Sequence, residues 1–204
     1  MESKAGYFYT EVIAFLVLLG AFTLVPMTQL TLQVSIFALS IYTFFISKYK
    51  RISLKQLGLV RPSKEIVVKW FLLTFGMSVG ILILKFIFQE GLFNGVSKTR
   101  QAFIYLIPFY ILFGTFFQEF VFRGYIFART SKLYPINTSI IINIALFSAF
   151  HLPYLVQYRS NLIYLSMLGG VCWSFMYAKY PNLYLAWISH GIVGSLNLLL
   201  LQRF

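Results

Sequence analysis

The residues best suited to chemistry in this chain are a few polar side chains between positions 118 and 190. They include the only two histidines, His151 and His190, and one glutamate, Glu119, that lies deep in an apolar run. Placing an ionisable group at bilayer depth costs about 2.5 to 3.5 kcal/mol on insertion scales, so such a residue usually faces a partner or a cavity. A carboxylate and a histidine can hold and deprotonate a water molecule, while a second histidine or an amide can donate to the resulting oxyanion. These residue types therefore predict hydrolysis without a covalent intermediate.

Glu119 and Arg123 are four residues apart in the run Gln118-Glu119-Phe-Val-Phe-Arg123-Gly124. Side chains at this spacing share a helix face, so we expect an ion pair between them, which could also serve only to lock a helix bundle. Gln118 lies about 100 degrees around the helix from Glu119 and could add amide hydrogen bonds to the same polar surface.

Two other chemistries use the same residue types. Glu119, His151 and His190 could bind a divalent metal such as zinc that activates the water. The sequence has no His-Glu-x-x-His pattern, so a metal stays an alternative, and no other cofactor is indicated. A serine protease is disfavoured because the serines beside the histidines occupy adjacent faces and no Gly-x-Ser-x-Gly motif is present.

The elements that must position these residues are long apolar runs. The chain has 59% hydrophobic and only 11% charged residues, a composition typical of polytopic membrane proteins. A helical span needs about 20 apolar residues. We expect an all-α, polytopic transmembrane helix bundle of about seven helices, a single integral membrane domain over residues 1–204 with a motif-bearing core at about 100–200. The runs lie at 7–25, 28–47, 66–89, 102–129, 137–152, 158–178 and 183–202.

Charge and cysteine content argue against several classes of protein and of site. The net charge is +12, but there is no compact basic domain, so nucleic acid is not an expected partner. The lone Cys172 excludes an intrachain disulfide and a cysteine metal cluster. The first apolar run is interrupted by Glu11 and followed by no small-x-small site, so we expect no cleavable signal peptide.

The basic residues instead predict topology through the positive-inside rule. We expect a bacterial cytoplasmic membrane and a cytoplasmic N-terminus, for which eleven basic residues fall inside and four outside. The inside residues are Lys4, Lys48, Lys50, Arg51, Lys55, Arg61, Lys64, Lys69, Arg129, Lys132 and Lys179, and the outside residues are Lys98, Arg100, Arg159 and Arg203.

The depths of the site residues can be compared from the turns. Glu119 and His151 each lie 16 residues from Pro135, so they should be level across a helical hairpin. His190 is nine residues past Pro181, about 13 Å at the helical rise, against about 24 Å for the other two. The three converge if the Pro135 turn projects from the membrane.

Two further patterns concern packing. Gly169 and Gly170, with serines one turn before and after, form a small-residue face suited to close helix contact. The polar loop at 48–64 is expected to hold a short interfacial helix whose apolar residues are Ile52, Leu54, Leu57 and Leu59.

The polar motifs resemble those of the CPBP family, the CAAX protease and bacteriocin-processing intramembrane proteases, also called the Abi family. Its signature runs Glu-Glu-x-x-x-Arg, Phe-x-x-x-His and His-x-x-x-Asn on successive membrane helices. The resemblance covers about residues 100–200, including Phe147 to His151 and Leu185-Ala186-Trp187-Ile188-Ser189-His190. Gly58-Leu59 also resembles the upstream loop of the family.

The resemblance implies that position 118 corresponds to the glutamate that activates water with His151, that Glu119 and Arg123 support it, and that His190 stabilises the oxyanion. Two positions depart from this pattern. Gln118 replaces a glutamate, and a glycine lies four residues after His190, although Asn197 lies two turns beyond that histidine on nearly the same face. A glutamine can orient a water but cannot accept its proton.

Three accounts of Gln118 remain open: a natural pseudoprotease, an enzyme rerouted through Glu119, or a deliberate Glu-to-Gln change that traps substrate. The leading hypothesis is an endopeptidase that cuts a peptide or membrane-anchored precursor. The alternative is a catalytically silent homologue that binds a peptide or a partner membrane protein as an immunity factor or regulator. In a bacterium the resemblance implies peptide maturation, bacteriocin immunity or signalling. A transporter is disfavoured because the polar residues form one cluster.

Overall fold

The computed structural model describes residues 29–87, 107–158 and 162–200, together with residues 13 and 17. Within these ranges the chain is helical with short turns and has no strand, which confirms the all-α prediction. The predicted helix at 7–25 lies outside the described residues apart from positions 13 and 17. The six helices of the described part are α1 Gln29–Tyr49, α2 Lys64–Ile87, α3 at 107–133, α4 Ile136–Tyr158, α5 Leu162–Lys179 and α6 Leu183–Leu200.

Helix α3, which carries three of the candidate residues, is not a regular α-helix. Tyr110–Thr115 and Phe120–Phe127 are π-helical, and the four-residue α-helical segment Phe116–Glu119 lies between them. A π-helix hydrogen-bonds from residue i to i+5, which changes the direction of the following side chains and is frequent at functional sites. The direction of the side chains along α3 therefore differs from that of the ideal helix assumed from the sequence.

A buried polar chain ties α3 to the two following helices. The Asn143 amide donates to the backbone carbonyl of Phe122 within the second π-helical segment. Its own oxygen accepts from the Ser174 hydroxyl at 3.0 Å. Asn143 and Ser174 are both fully buried, so this chain fixes the relative positions of α3, α4 and α5 in the core.

The small-residue face on α5 packs against α4, as predicted. A Cβ added to Gly170 would lie 3.2 Å from the ring of Phe147, which is tighter than most real contacts. The turn at Pro135 between α3 and α4 is confirmed as well. Helix α4 is longer than predicted, since it continues past Pro153 to Tyr158 rather than ending near 152.

The prediction of an interfacial helix in the 48–64 loop is wrong. Residues 50–63 form turns, and Gly58 takes the left-handed φ of 76°. The apolar Leu57 is buried against Phe120 and Leu183 instead of facing a membrane surface. The backbone of the loop is also held, because the Gly58 carbonyl accepts from the Leu183 N–H at 2.8 Å. The loop docks onto the start of α6 because its apolar and backbone groups find partners there.

The outer surface is strongly apolar. In the described part of the chain, one helix segment, Lys64–Leu84, is long and apolar enough to cross a membrane, and it is mostly exposed. Phe71 and Phe75 on this segment are 64% and 59% exposed. A contiguous exposed apolar face of this kind needs a partner or a lipid environment. Three shorter apolar stretches are Val34–Tyr49, Ile136–Leu152 and Leu183–Leu196.

Candidate active site

Glu119 is at the centre of the buried polar cluster and has no exposed surface. Its Oε1 accepts a hydrogen bond from Nη1 of Arg123 at 3.0 Å, so the ion pair predicted from the i, i+4 spacing is confirmed. The same oxygen lies 2.7 Å from Nδ1 of His190. The depth estimate predicted that Glu119 and His190 meet only if the Pro135 turn projects from the membrane. In the structure the two side chains are in direct contact.

The tautomer of His190 follows from this contact. A carboxylate only accepts hydrogen bonds, so the proton lies on Nδ1, and in the neutral ring Nε2 carries the lone pair. The ring stacks on Trp173 with centroids 4.4 Å apart. Trp173 Nε1 in turn donates to the Ser189 hydroxyl at 3.0 Å, and Thr74 of α2 donates to that hydroxyl at 2.8 Å. Side chains from three other helices, α2, α3 and α5, therefore fix the orientation of the His190 imidazole.

His151 lies beside the same cluster and is also buried. Its Nδ1 donates to the backbone carbonyl of Phe147 at 2.8 Å, so Nε2 is the acceptor in the neutral ring. Phe147 packs against both imidazoles, with centroid distances of 4.7 Å to His151 and 5.8 Å to His190. The Phe147 ring thus connects the two histidines.

Arg123 is completely buried and spans the cluster. Besides Glu119, it contacts the Gly170 carbonyl at 3.5 Å through Nη2. Its guanidinium carbon lies 4.2 Å from the Phe147 ring centroid and 5.8 Å from that of Trp173. Aromatic faces stabilise a desolvated cation. The arginine therefore balances the charge of Glu119 and orders the rings that hold the histidines.

Gln118 is buried beside Glu119, where its amide was expected to add hydrogen bonds to the same polar surface. Gln118 Oε1 and Glu119 Oε2 have no hydrogen-bond donor among the described residues. Buried acceptors of this kind are usually satisfied, often by an ordered water.

The residues do not fit a metal ion. Among the described residues, no three of His, Cys, Asp or Glu are grouped so that they could hold one. The nearest candidate set is Glu119, His151 and His190. In that set, Oε1 of Glu119 is already held by both Nη1 of Arg123 and Nδ1 of His190. We therefore derive no step through a metal.

The far end of the site lies where α6 approaches the start of α3. Asn197 lies on α6, but its side chain is outside the described residues. Gly194, one turn after His190, lies against Tyr110 of α3, whose hydroxyl would overlap a Cβ at position 194. Sequence reasoning missed both Tyr110 and Trp173. Trp173 follows the small-residue pair Gly169-Gly170 by one turn, a spacing that could have indicated an aromatic ring beside the site.

Over the described residues, the fold and the site define an all-helical protein with ionisable groups in its core and an apolar exterior. Residues 100–196 match the family model described as "Rce1-like: Type II CAAX prenyl endopeptidase Rce1-like". This match confirms the resemblance found in the sequence, over the part of the chain that runs from Gln118 to His190. The family match and the exposed apolar segment of α2 suggest a membrane protein. No curated protein and no solved structure matches the chain.

Proposed function

We propose that this chain is an intramembrane endopeptidase that hydrolyses a peptide or a membrane-anchored precursor. The observation that carries the proposal is the buried 2.7 Å contact between Glu119 and Nδ1 of His190. A carboxylate that holds one nitrogen of an imidazole makes the other nitrogen a base, as in other hydrolases. The family match supports the same reaction class.

In the proposed reaction, a water gives one proton to Nε2 of His190 while its oxygen bonds to the scissile carbonyl carbon. Glu119 keeps Nδ1 protonated and stabilises the imidazolium that forms. The carbonyl oxygen becomes an oxyanion, to which the Gln118 amide donates. When the carbon–nitrogen bond breaks, the imidazolium returns the proton to the leaving amine. The products are a carboxylic acid and an amine, and no covalent enzyme intermediate is formed.

The remaining side chains orient these groups. Nε2 of His151 is a second acceptor for the attacking water, and Phe147 sets its distance from His190. Arg123 compensates the charge of Glu119, which otherwise would be buried alone. Gln118 acts as a hydrogen-bond donor to the oxyanion because its amide cannot accept the proton of the attacking water.

The proposal includes the membrane arrangement: a polytopic bundle of about seven helices in one domain, in a bacterial cytoplasmic membrane, with a cytoplasmic N-terminus. Contacts at one end of the molecule support it. Lys69 Nζ lies 2.8 Å from the Tyr180 hydroxyl, and Asn182 donates to the Val60 carbonyl at 2.7 Å. The basic 48–69 region and Lys179 therefore lie at the same end, as the positive-inside rule requires.

A second candidate function is favoured by Gln118 itself. Where the family signature has two adjacent glutamates, this chain has one carboxylate, and that carboxylate is already engaged by Arg123 and His190. A site with no free carboxylate fits a homologue that binds without cutting. Such a homologue would hold a peptide or a partner membrane protein and act as an immunity factor or regulator.

The two functions are separated by cleavage of a fluorogenic peptide library in detergent. The parent chain is compared with Gln118→Glu and His190→Ala, and with Ile188→Ala as a control on the outward face of the same helix. We expect the parent to cleave, His190→Ala to lose about 100-fold or more in rate, and Ile188→Ala to match the parent. A chelator should leave the rate unchanged, since the residues do not fit a metal.

Cleavage by Gln118→Glu alone would show a protease silenced at one residue. Silence in every variant would support the binding function and contradict the proposed hydrolysis.

A further inference from the structure

The start of α3 lies unusually close to α6 just beyond His190. A Cβ added to Gly191 would lie 2.9 Å from the Ile111 side chain. At Gly194 an added Cβ would overlap the hydroxyl of Tyr110 and lie 3.2 Å from its ring carbon Cζ. The two glycines therefore admit the first π-helical turn of α3 to the surface of α6 that carries the histidine.

Other contacts fix this approach. The Trp187 indole N–H donates to the backbone carbonyl of Ile111. The Thr115 hydroxyl also donates to that carbonyl, at 2.9 Å. Because the backbone of Ile111 is held from both helices, the direction of its neighbour Tyr110 towards Gly194 is defined by the fold.

We propose that the Tyr110 hydroxyl is a hydrogen-bond donor of the site, placed in the space that a side chain at position 194 would otherwise fill. Gly194 lies one helical turn, about 5.4 Å of rise, beyond His190, so positions 190 and 194 share one face of α6. The hydroxyl is also close enough to Glu119 to interact with it electrostatically. This inference rests on the proposed hydrolysis and assigns a donor to its oxyanion.

The chemistry suits a phenol. A neutral tyrosine hydroxyl donates one hydrogen bond and carries no charge, so it can be buried within the electrostatic reach of Glu119 without adding a second anion. Donors that face the oxyanion act mainly on the transition state, where the negative charge develops. Tyr110 and the Gln118 amide would approach the oxygen from separate positions on α3.

The first test is Tyr110→Phe, which keeps the ring against Gly194 and removes only the hydroxyl. Tyr164→Phe, at an exposed tyrosine of α5, is the matched control. We expect Tyr110→Phe to lower kcat by about 100-fold with KM unchanged, since a donor to the oxyanion acts on the chemical step. All measurements use the parent chain, or Gln118→Glu if only that variant cleaves.

The second test is rescue from the opposite helix. Tyr110→Ala empties the space beside position 194, and Gly194→Asn or Gly194→Leu then refills it with side chains of similar size. Only the asparagine supplies a donor. We expect Tyr110→Ala combined with Gly194→Asn to be more active than Tyr110→Ala alone, whereas the combination with Gly194→Leu is not.

The outcomes separate the two proposals. If the parent cleaves and Tyr110→Phe has the same kcat, or if leucine rescues as well as asparagine, Tyr110 only fills space and the donor role is wrong. If no variant cleaves, Gln118→Glu included, the proposed hydrolysis fails and the donor role fails with it.

Discussion

At the scale of single residues, the site depends on one carboxylate oxygen shared between two cationic or protonatable groups. Oε1 of Glu119 contacts both Arg123 and His190, and all three side chains are buried. Breaking a buried ion pair by removing one partner leaves the other charge without compensation and costs about 3 to 5 kcal/mol. Glu119 is therefore expected to matter for stability as well as for chemistry.

The chain supplies a matched pair of substitutions for this expectation. Glu119→Gln removes the buried partner of Arg123, whereas Glu65→Gln removes the exposed partner of Lys69 at the same i, i+4 spacing. We expect Glu119→Gln to lower the unfolding midpoint in detergent strongly and Glu65→Gln to leave it nearly unchanged, because an exposed pair is screened by solvent. Equal shifts in the two variants would show that burial does not govern the Glu119 pair.

At the scale of elements, π-helical turns and glycines decide which residues meet. The pairing of Glu119 with Arg123 could be predicted from their spacing alone. The meeting with His190 was predicted only on the condition that the Pro135 turn projects from the membrane, because the depth estimate assumed ideal helices, whereas α3 contains two π-helical segments. The approach of Tyr110 to Gly194 also had no signal in the sequence, since it depends on how two helices far apart in the chain cross.

The small-residue face of α5 was predictable from Gly169 and Gly170 because small side chains favour close helix packing irrespective of sequence context. The side chain that this face contacts, Phe147, was not predictable. Gly170 lies against Phe147, which in turn contacts both histidines. The small-residue face of α5 is therefore linked to both histidines through the Phe147 ring.

Gly170→Ala tests this link. Its added methyl would press on the fully buried Phe147 ring at 3.2 Å, so we expect a loss of stability of about 1 to 3 kcal/mol and lower cleavage activity. Gly76→Ala is the control, because a Cβ there meets nothing within 4 Å. In a helix that change is expected to be neutral or stabilising. If Gly170→Ala behaves like Gly76→Ala in unfolding and cleavage assays, Phe147 is not constrained by α5.

At the scale of the whole molecule, the apolar exterior and the distribution of basic residues agree. The all-helical class of the described residues was predictable because long apolar runs and this composition are typical of helical membrane proteins. The structure of the 48–64 loop was mispredicted. Its pattern of apolar residues shows that they need an apolar partner, but not whether that partner is a membrane surface or the end of a neighbouring helix. Its docking through Leu57 and Gly58 places the most basic region of the chain beside the turn between α5 and α6.

This arrangement predicts which side of the membrane each end occupies. In a variant with Cys172 replaced by alanine, single cysteines are introduced at Lys55 and Lys132, both exposed, and at Lys98 in the loop predicted to lie outside. We expect a membrane-impermeant maleimide to label Lys98→Cys in intact cells, and Lys55→Cys and Lys132→Cys only after the membrane is opened, because the basic ends stay on the cytoplasmic side. Labelling of Lys55→Cys in intact cells would invert the topology. Labelling of Lys55→Cys and Lys132→Cys from opposite sides would contradict the alternation of spans on which the helix count rests.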